Sequence, residues 1–324
     1  MTPGTLPDAH IPVDRRHCLL ACGAALWMPA AAAAGRVIDE VWMDPRRSRD
    51  VPVRLRLPDA PNWPLVVYSH GLGGGRDGGA VWSEAWVASG MAVLHVQHPG
   101  SDQALWRQGP AAVRAAASVE QLVARVDDVR FVLTQALRRA QAGQAPWHAL
   151  RPEAIGMAGH SFGAHTTQAL AGQRYPVAVQ WSDPRLRAFL AMSPSSGRGA
   201  MAVAEAFREI RRPFFAVTGS HDGDPFGSYA GGEPRAAVYH GLPAGQRALL
   251  WLDGADHMTF GGNREPASPL PRLASAAQHE AAHHAIVARL TGLWWRARLL
   301  DDGAAWGAWQ QRPGIVAPNR LDFD

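Results

Sequence analysis

The amino-acid sequence predicts one doubly wound α/β domain with a mainly parallel β-sheet, covering residues 35–324. Short, continuous apolar runs recur along the chain, and such runs are typical of strands buried on both faces of a parallel sheet. Amphipathic helical patterns separate the runs, as in successive βα units. No repeat or change of composition indicates a second domain. The predicted parallel strands are residues 65–69, 92–96, 154–158, 188–192, 214–217 and 248–252.

The remaining elements follow from local patterns in chain order. Residues 37–43 and 51–57 alternate apolar and polar side chains around an Asp-Pro-Arg-Arg turn, which predicts an opening antiparallel hairpin. The clearest helix extends from Ser118 to about Arg139, and Ser118 with Gln121 has the pattern of a capping box. Two segments without either pattern are predicted to be irregular loops, namely residues 99–117 and 261–276.

Residues 1–34 have the composition of an export signal. Two arginines precede an uncharged apolar run and five alanines, which is the order of a positive region, an apolar region and a cleavage zone. Paired arginines favour twin-arginine export, so we expect a cleaved segment and a periplasmic or secreted mature protein. The apolar run is shorter than the ~20 residues that a membrane span needs. Both cysteines lie in this segment, so the predicted mature chain has no thiol.

The charged residues exclude several classes of protein. The formal net charge is +4, and all 32 basic residues are arginines. Without lysine, the chain can form no lysine Schiff base and no P-loop. No block of basic residues or stripe of aromatic and basic residues stands out, so we expect no nucleic-acid partner.

The stretch MAGHSFGA, residues 157–164, places Ser161 between two glycines. An apolar run precedes it and a helical pattern follows it, so Gly-x-Ser-x-Gly lies at a predicted strand–turn–helix junction. This is the arrangement of a nucleophile elbow, in which Gly159 and Gly163 allow the close approach of neighbouring backbone. The turn directs the Phe162 amide toward the position of an oxyanion, so Phe162 is one predicted oxyanion-hole residue.

A nucleophilic serine needs an acid and a base, and both follow at the ends of predicted strands. Asp222 comes just after the strand at 214–217, and His257 just after the strand at 248–252. The order Ser, Asp, His is the one that this strand–turn–helix arrangement uses. Asp224 is an alternative acid, but Asp222 is favoured.

The second oxyanion donor is predicted in the loop after the first parallel strand. The sequence there is Tyr-Ser-His-Gly-Leu-Gly-Gly-Gly, residues 68–75, and the amide of Leu72 is the best candidate. A glycine-rich loop after a strand also suggests a dinucleotide site. This loop lacks the Gly-x-Gly-x-x-Gly spacing, and no acid follows where a ribose would need one, so no cofactor is expected.

A competing motif lies near the C-terminus. His279-Glu-Ala-Ala-His283 matches His-Glu-x-x-His, in which two histidines on one helical face bind zinc and Glu280 activates water. The extended zinc-protease motif would need glycine and histidine where the chain has Ile286 and Arg289. No glutamate follows Glu280, so only Asp301 and Asp302 remain as possible third ligands. The helix continues with apolar residues at three- and four-residue spacing, as a helix packed on a sheet would, so no metal is expected.

Together these segments resemble the α/β-hydrolase superfamily, and within it an exported bacterial group called predicted dienelactone hydrolases. Platelet-activating-factor acetylhydrolases and cutinase-like polyester hydrolases are related to that group. The resemblance covers most of the predicted mature chain. It is carried by the segments SHGLGG at 69–74, HVQHPGSD at 95–102, DVRFVL at 128–133, GHSFG at 159–163, TGSHD at 218–222 and DGADHMTF at 253–260.

The resemblance implies an α/β-hydrolase fold and a catalytic triad of Ser161, Asp222 and His257. The segment after Met192 is short, so we expect a small or absent lid. It assigns the oxyanion hole to the amides of Leu72 and Phe162. Dienelactone hydrolases proper use a cysteine at the position of Ser161, so their substrate is not implied. We therefore expect a metal-independent serine esterase that acts on small-molecule, lipid or polymeric esters. A zinc peptidase and a non-catalytic hydrolase-like binding protein are the alternatives.

Overall fold

The computed structural model describes Met1 and residues 35–176, 180–195, 201–264 and 272–324. Contacts divide the chain into two units, Met1–Ala31 and Ala32–Asp324, and all the helices and strands given below lie in the second. The predicted export signal lies outside the described residues, apart from Met1. No helix in the described ranges has the length and apolar character needed to span a membrane.

Nine strands in the described residues form a single sheet in the order β1-β2-β4-β3-β5-β6-β7-β8-β9. The six strands from β4 to β8 in this order are parallel, whereas β1, β2 and β9 pair antiparallel at the two edges. The mixed α/β class with a mainly parallel sheet is therefore confirmed. The strands are β1 Val37–Asp44, β2 Arg49–Arg56, β3 Trp63–Ser69, β4 Ala92–Val96, β5 Leu150–His160, β6 Ala188–Met192, β7 Phe214–His221, β8 Arg247–Asp256 and β9 Arg320–Phe323.

Helices cover both faces of the sheet. Side chains of β3 alternate between the faces, so Leu65 and Val67 join one apolar core while Val66 and Tyr68 join the other. Helices α3, α4 and α6 pack on the first face, and α1, α7 and α8 pack on the second. The helices are α1 Ala80–Ala88, α2 Pro110–Ala115, α3 Val119–Gln141, α4 Phe162–Ala171, α5 Val203–Phe207, α6 Glu233–Gly241, α7 Ala274–Leu299 and α8 Gly303–Gln310.

Most predicted elements agree with the structure, and the differences lie in loops and at the sheet edge. The hairpin forms as expected, and the hydroxyl of Ser118 accepts the Gln121 amide at 3.3 Å at the start of α3. The prediction of an irregular loop at 99–117 is wrong, because the segment contains a 3₁₀ turn at Gln103–Gln108 followed by α2. Strand β9 was not predicted, because it is only four residues long and, at the edge of the sheet, forms hydrogen bonds to β8 alone.

Two further predictions fall partly on residues that the structure leaves undescribed. The loop predicted at 261–276 includes residues 265–271, which lie outside the described ranges. A lid would be inserted after β6, and that connection includes residues 196–200, which also lie outside them.

Gly156 in β5 provides a test of how α7 packs on the sheet. A Cβ atom at this position would lie 2.5 Å from Cζ3 of the buried Trp295. We expect Gly156→Ala to lower the free energy of unfolding by about 1–3 kcal/mol, because overpacking forces the backbone or the indole to move. Equilibrium unfolding in urea measures this change.

Gly307 in α8 is the matched control. A Cβ atom there would meet no atom within 4 Å. Gly307→Ala should therefore raise the free energy of unfolding by up to about 1 kcal/mol, through the higher helix propensity of alanine. A Gly156→Ala protein as stable as the wild type would contradict the close packing of Trp295 on β5.

Candidate active site

Ser161 occupies a strained turn between β5 and α4. Its backbone angles are φ 55° and ψ −116°, a region that residues with a side chain rarely adopt. A Cβ atom at Gly163 would collide with the carbonyl oxygen of Ser69, and one at Gly159 would collide with the carbonyl oxygen of Gly163. The Ser161 amide donates to the carbonyl oxygen of Met192 at 3.0 Å, which ties the turn to β6. The two glycines thus allow the turn that places the serine side chain at the sheet edge.

The hydroxyl of Ser161 begins a chain of hydrogen bonds through His257 to Asp222. Ser161 Oγ lies 2.9 Å from His257 Nε2, and His257 Nδ1 lies 2.8 Å from Asp222 Oδ1. An ionised carboxylate can only accept, so Nδ1 carries the ring proton and Nε2 accepts from the serine hydroxyl. The three residues come from the ends of β5, β7 and β8. The structure therefore brings together the three residues that the sequence singled out.

The two candidate acids have different roles in the structure. Asp222 is fully buried, and its second oxygen, Oδ2, accepts the hydroxyl of Thr218 at 2.8 Å. Asp224 instead accepts the backbone amides of Phe226 and Ser228 at 3.2 and 3.1 Å, which stabilises the turn after β7. The imidazole Nδ1 hydrogen bond goes to Asp222, the acid that the sequence favoured.

A buried arginine on α6, which the sequence analysis missed, contacts the acid. Arg235 Nε lies 2.9 Å from Asp222 Oδ1 and donates to the Asp222 carbonyl oxygen at 2.7 Å. The other two guanidinium nitrogens donate to backbone carbonyl oxygens at 2.9–3.1 Å. These carbonyls belong to Ser193, Pro194 and Gly223. Arg235 thereby joins the loop after β6 to the loop that carries the acid.

Arg235 also affects the ionisation of both partners in the hydrogen-bond chain. Burial lowers the pKa of His257, the nearby Arg235 charge lowers it further, and Asp222 opposes both effects. Burial raises the pKa of Asp222, but the Arg235 charge and the His257 hydrogen bond outweigh it, so the pKa is lowered overall. Both shifts favour an ionised Asp222 next to a neutral His257. A neutral imidazole is the form that can accept a proton.

The two backbone amides predicted for the oxyanion hole lie at the same edge of the sheet. Phe162 is the first residue of α4, and the first amides of a helix have no partner within the helix. Within the described ranges, the Leu72 amide donates to no backbone carbonyl. Trp106 supports the Leu72 loop because its indole Nε1 donates to the carbonyl oxygen of Gly73 at 2.9 Å.

A cleft that is open to solvent at its mouth, with about 90 Å³ of accessible space, contains Ser161 and His257. Leu72, Val113 and Phe226 form an apolar part of the cleft, to which α2 contributes through Val113. His160 lies beside His257, with 4.8 Å between the ring centroids, and its Nε2 is 2.9 Å from the His257 carbonyl oxygen. The cleft therefore brings an apolar wall together with the Ser161 hydroxyl and the His257 imidazole.

The competing zinc motif lies in α7. The imidazole rings of His279 and His283 are 6.1 Å apart, and Glu280 pairs with Arg272 at 2.8 Å. Among the described residues, no group of three or more histidine, cysteine or carboxylate side chains could hold a metal ion. A zinc site with protein ligands needs at least three, so these residues do not complete one.

Comparisons with known proteins leave this site without an assigned role. No protein-family model matches the chain, and no curated protein matches it.

The contacts of Arg235 generate a prediction about pH dependence. Replacing Arg235 with methionine removes a charge that lowers the pKa of His257. The imidazole should then become protonated at higher pH, and the acid limb of any reaction that uses it as a base should shift to higher pH. The profile of kcat/KM against pH, measured with a neutral ester, reports this limb.

Arg235→Lys is the control because lysine keeps the positive charge but lacks the planar guanidinium group. Its acid limb should lie closer to that of the wild type than the acid limb of Arg235→Met does. Identical acid limbs in Arg235→Met and the wild type would contradict the role of the charge.

Proposed function

We propose that the protein belongs to the α/β-hydrolase superfamily and uses Ser161 as a nucleophile. The single observation that carries this proposal is the hydrogen-bond chain from Ser161 through His257 to Asp222, with distances of 2.9 and 2.8 Å. Further support comes from the strained turn at Ser161 between a parallel strand and a helix. Within this superfamily, the reaction that we propose is the hydrolysis of carboxylic esters.

In the first half of the reaction, His257 takes the proton of the Ser161 hydroxyl as its oxygen attacks the ester carbonyl carbon. Asp222 holds the imidazole in the required tautomer and stabilises its protonated form. The oxyanion that develops is stabilised by the amides of Leu72 and Phe162, and each such donor contributes about 3 kcal/mol in comparable enzymes. The protonated imidazole then gives its proton to the departing alcohol.

In the second half, water attacks the acyl group on Ser161 and His257 takes the proton of that water. The same two amides stabilise the second oxyanion, and collapse of the intermediate returns the proton to the Ser161 oxygen. No step needs a metal ion or a cofactor. The zinc-peptidase alternative has less support, because the described residues supply no third protein ligand beside His279 and His283.

The shape of the cleft favours esters with a short apolar group. Leu72, Val113 and Phe226 form the apolar wall, and Phe226 is itself covered by the guanidinium of Arg114 at 5.6 Å from the ring centroid. These residues belong to the connections that follow β3, β4 and β7 at the carboxyl edge of the sheet, where open α/β sheets bind ligands. Measuring kcat/KM for a series of p-nitrophenyl esters of increasing acyl length would show how long an acyl chain the cleft accepts.

Ser161→Ala tests the proposal directly. The variant should lose at least about 10³-fold in kcat toward p-nitrophenyl esters, because a covalent mechanism has no route without the hydroxyl. It should also lose labelling by a fluorophosphonate, which mass spectrometry of the labelled peptide detects. Retention of both ester turnover and labelling would overturn the proposal.

His283→Ala combined with metal chelation separates this mechanism from the zinc alternative. Ester turnover should survive both treatments, since the zinc motif does not take part in the proposed reaction. Loss of activity on chelation, together with insensitivity to the fluorophosphonate, would favour the zinc motif instead.

A further inference from the structure

A second buried arginine, Arg125 of α3, contacts the two segments that carry the amides of the proposed oxyanion hole. Its side chain is fully buried. One guanidinium nitrogen, Nη2, donates to the carbonyl oxygen of His70 and lies 3.3 Å from Ser69 Oγ. The other, Nη1, lies 3.3 Å from Ser101 Oγ. Arg125 therefore holds the beginning of the loop that carries the Leu72 amide.

Arg125 also contacts the residue that supplies the other amide. Its guanidinium carbon lies 4.6 Å from the centroid of the Phe162 ring, a geometry in which a cation is attracted to the ring face. Phe162 begins α4, and Leu72 lies in the loop after β3. One side chain therefore contacts both segments whose amides would bind the oxyanion.

The charge of Arg125 has no direct counter-ion among the described residues. The nearest candidate on the same helix, Asp128, pairs instead with Arg47 and Arg49 at 2.8 Å and with His98 at 3.0 Å. Arg125 Nε has no hydrogen-bond partner within the described part of the chain. Burial lowers the pKa of Arg125 to about 9, so the side chain remains charged at neutral pH.

Burial of a cation without a direct carboxylate partner costs stability, which the hydrogen bonds of Arg125 and the nearby charges of Asp128 and Asp102 offset in part. A network of hydrogen bonds holds the neighbouring Ser69 in place. Ser69 Oγ lies 2.9 Å from His98 Nε2, and His98 Nδ1 lies 3.0 Å from Asp128 Oδ2. This repeats the pattern of Ser161, but all three side chains are fully buried, so no ester can reach them. Because the Ser69 hydroxyl donates its proton to His98 Nε2, its oxygen is available to accept a hydrogen bond from Arg125.

We propose that Arg125 is the positioning residue of the oxyanion hole. It fixes the Leu72 loop relative to the start of α4 and supplies a positive charge behind both amides. Negative charge that develops on the carbonyl oxygen is stabilised by this cation more strongly in a buried, low-dielectric setting than in water. The inference rests on the proposed ester hydrolysis at Ser161.

Arg125→Gln and Arg125→Lys separate the charge from the hydrogen bonds. Gln keeps an N–H donor but is neutral, whereas Lys keeps the charge. After the concentration of active sites is titrated with a fluorophosphonate, Arg125→Gln should lower kcat about 10- to 100-fold with little change in KM. This is less than the ~10²–10³-fold loss on removal of a direct oxyanion donor. Arg125→Lys should stay within about threefold of the wild-type kcat, because it keeps the charge.

A trifluoromethyl ketone provides a readout that a purely structural role would not change. Addition of the Ser161 oxygen to the ketone carbon, with transfer of the serine proton to His257, forms a tetrahedral adduct that carries the oxyanion. Its affinity should fall in Arg125→Gln by the same factor as kcat, and Lys should restore most of it. Equal losses in Gln and Lys, or a wild-type kcat in Arg125→Gln, would overturn the proposal.

Arg298→Gln is the matched control. Arg298 is partly buried and, like Arg125, has an Nε without a hydrogen-bond partner among the described residues. Its guanidinium packs against Trp294 of α7 and Trp306 of α8, away from the proposed oxyanion hole. Its replacement should leave kcat and the affinity for the ketone unchanged. An inactive Ser161→Ala together with a fully active Arg125→Gln would end this inference and leave the proposed function intact. Ester turnover by Ser161→Ala would end both.

Discussion

The backbone of Ser161 is the constraint on which the rest of the candidate site depends. A residue with φ 55° and ψ −116° is strained, so the surrounding structure must hold it there. The end of β5 fixes one side of the turn, α4 fixes the other, and the amide of Ser161 is bound to the Met192 carbonyl of β6. Gly159 and Gly163 are required because no side chain fits between the turn and its neighbours. The strain is compensated by this packing, and its effect is to place the half-buried Ser161 hydroxyl at the sheet edge, inside the cleft.

Two fully or nearly buried arginines surround this turn, and both act on backbone carbonyl oxygens. Arg235 joins the loops after β6 and β7 on the side of the acid, and Arg125 contacts the loop after β3 on the side of the amides. A guanidinium suits these positions because its planar fork can donate to several oxygens at once. Residues 35–324 contain no lysine and no cysteine, so arginine is the cation available to hold the loops together.

The predictions from sequence were strongest where a local pattern decides the outcome. The parallel strands have continuous apolar runs because both faces of the sheet are covered, and the positions of these runs agree with the structure. Ser161, Asp222 and His257 were found because each follows such a run closely.

The predictions failed where tertiary contacts determine the local structure. Helix α2 forms in a segment whose apolar residues show no clear helical period. Its Val113 is buried against Leu105 and residues of neighbouring loops, contacts that the sequence does not indicate. Arg125 and Arg235 were not singled out from the sequence, because nothing in their local pattern indicates burial, and only the fold shows that they are buried.

The sequence by itself determined the class of the fold and indicated Ser161 and His257 at the strand ends, with Asp222 favoured over Asp224 as the acid. It could do so because buried parallel strands and a glycine-flanked turn have strict local requirements. The tertiary structure alone decided which carboxylate reaches the imidazole. Asp222 and Asp224 are only two residues apart in the same turn, and their sequence pattern does not show which side chain faces His257. It also decided the environment that lowers the pKa of His257, because burial and the Arg235 charge come from segments that are distant in the chain. Interactions between distant segments depend on distances in space, which the spacing of residues in a sequence does not specify.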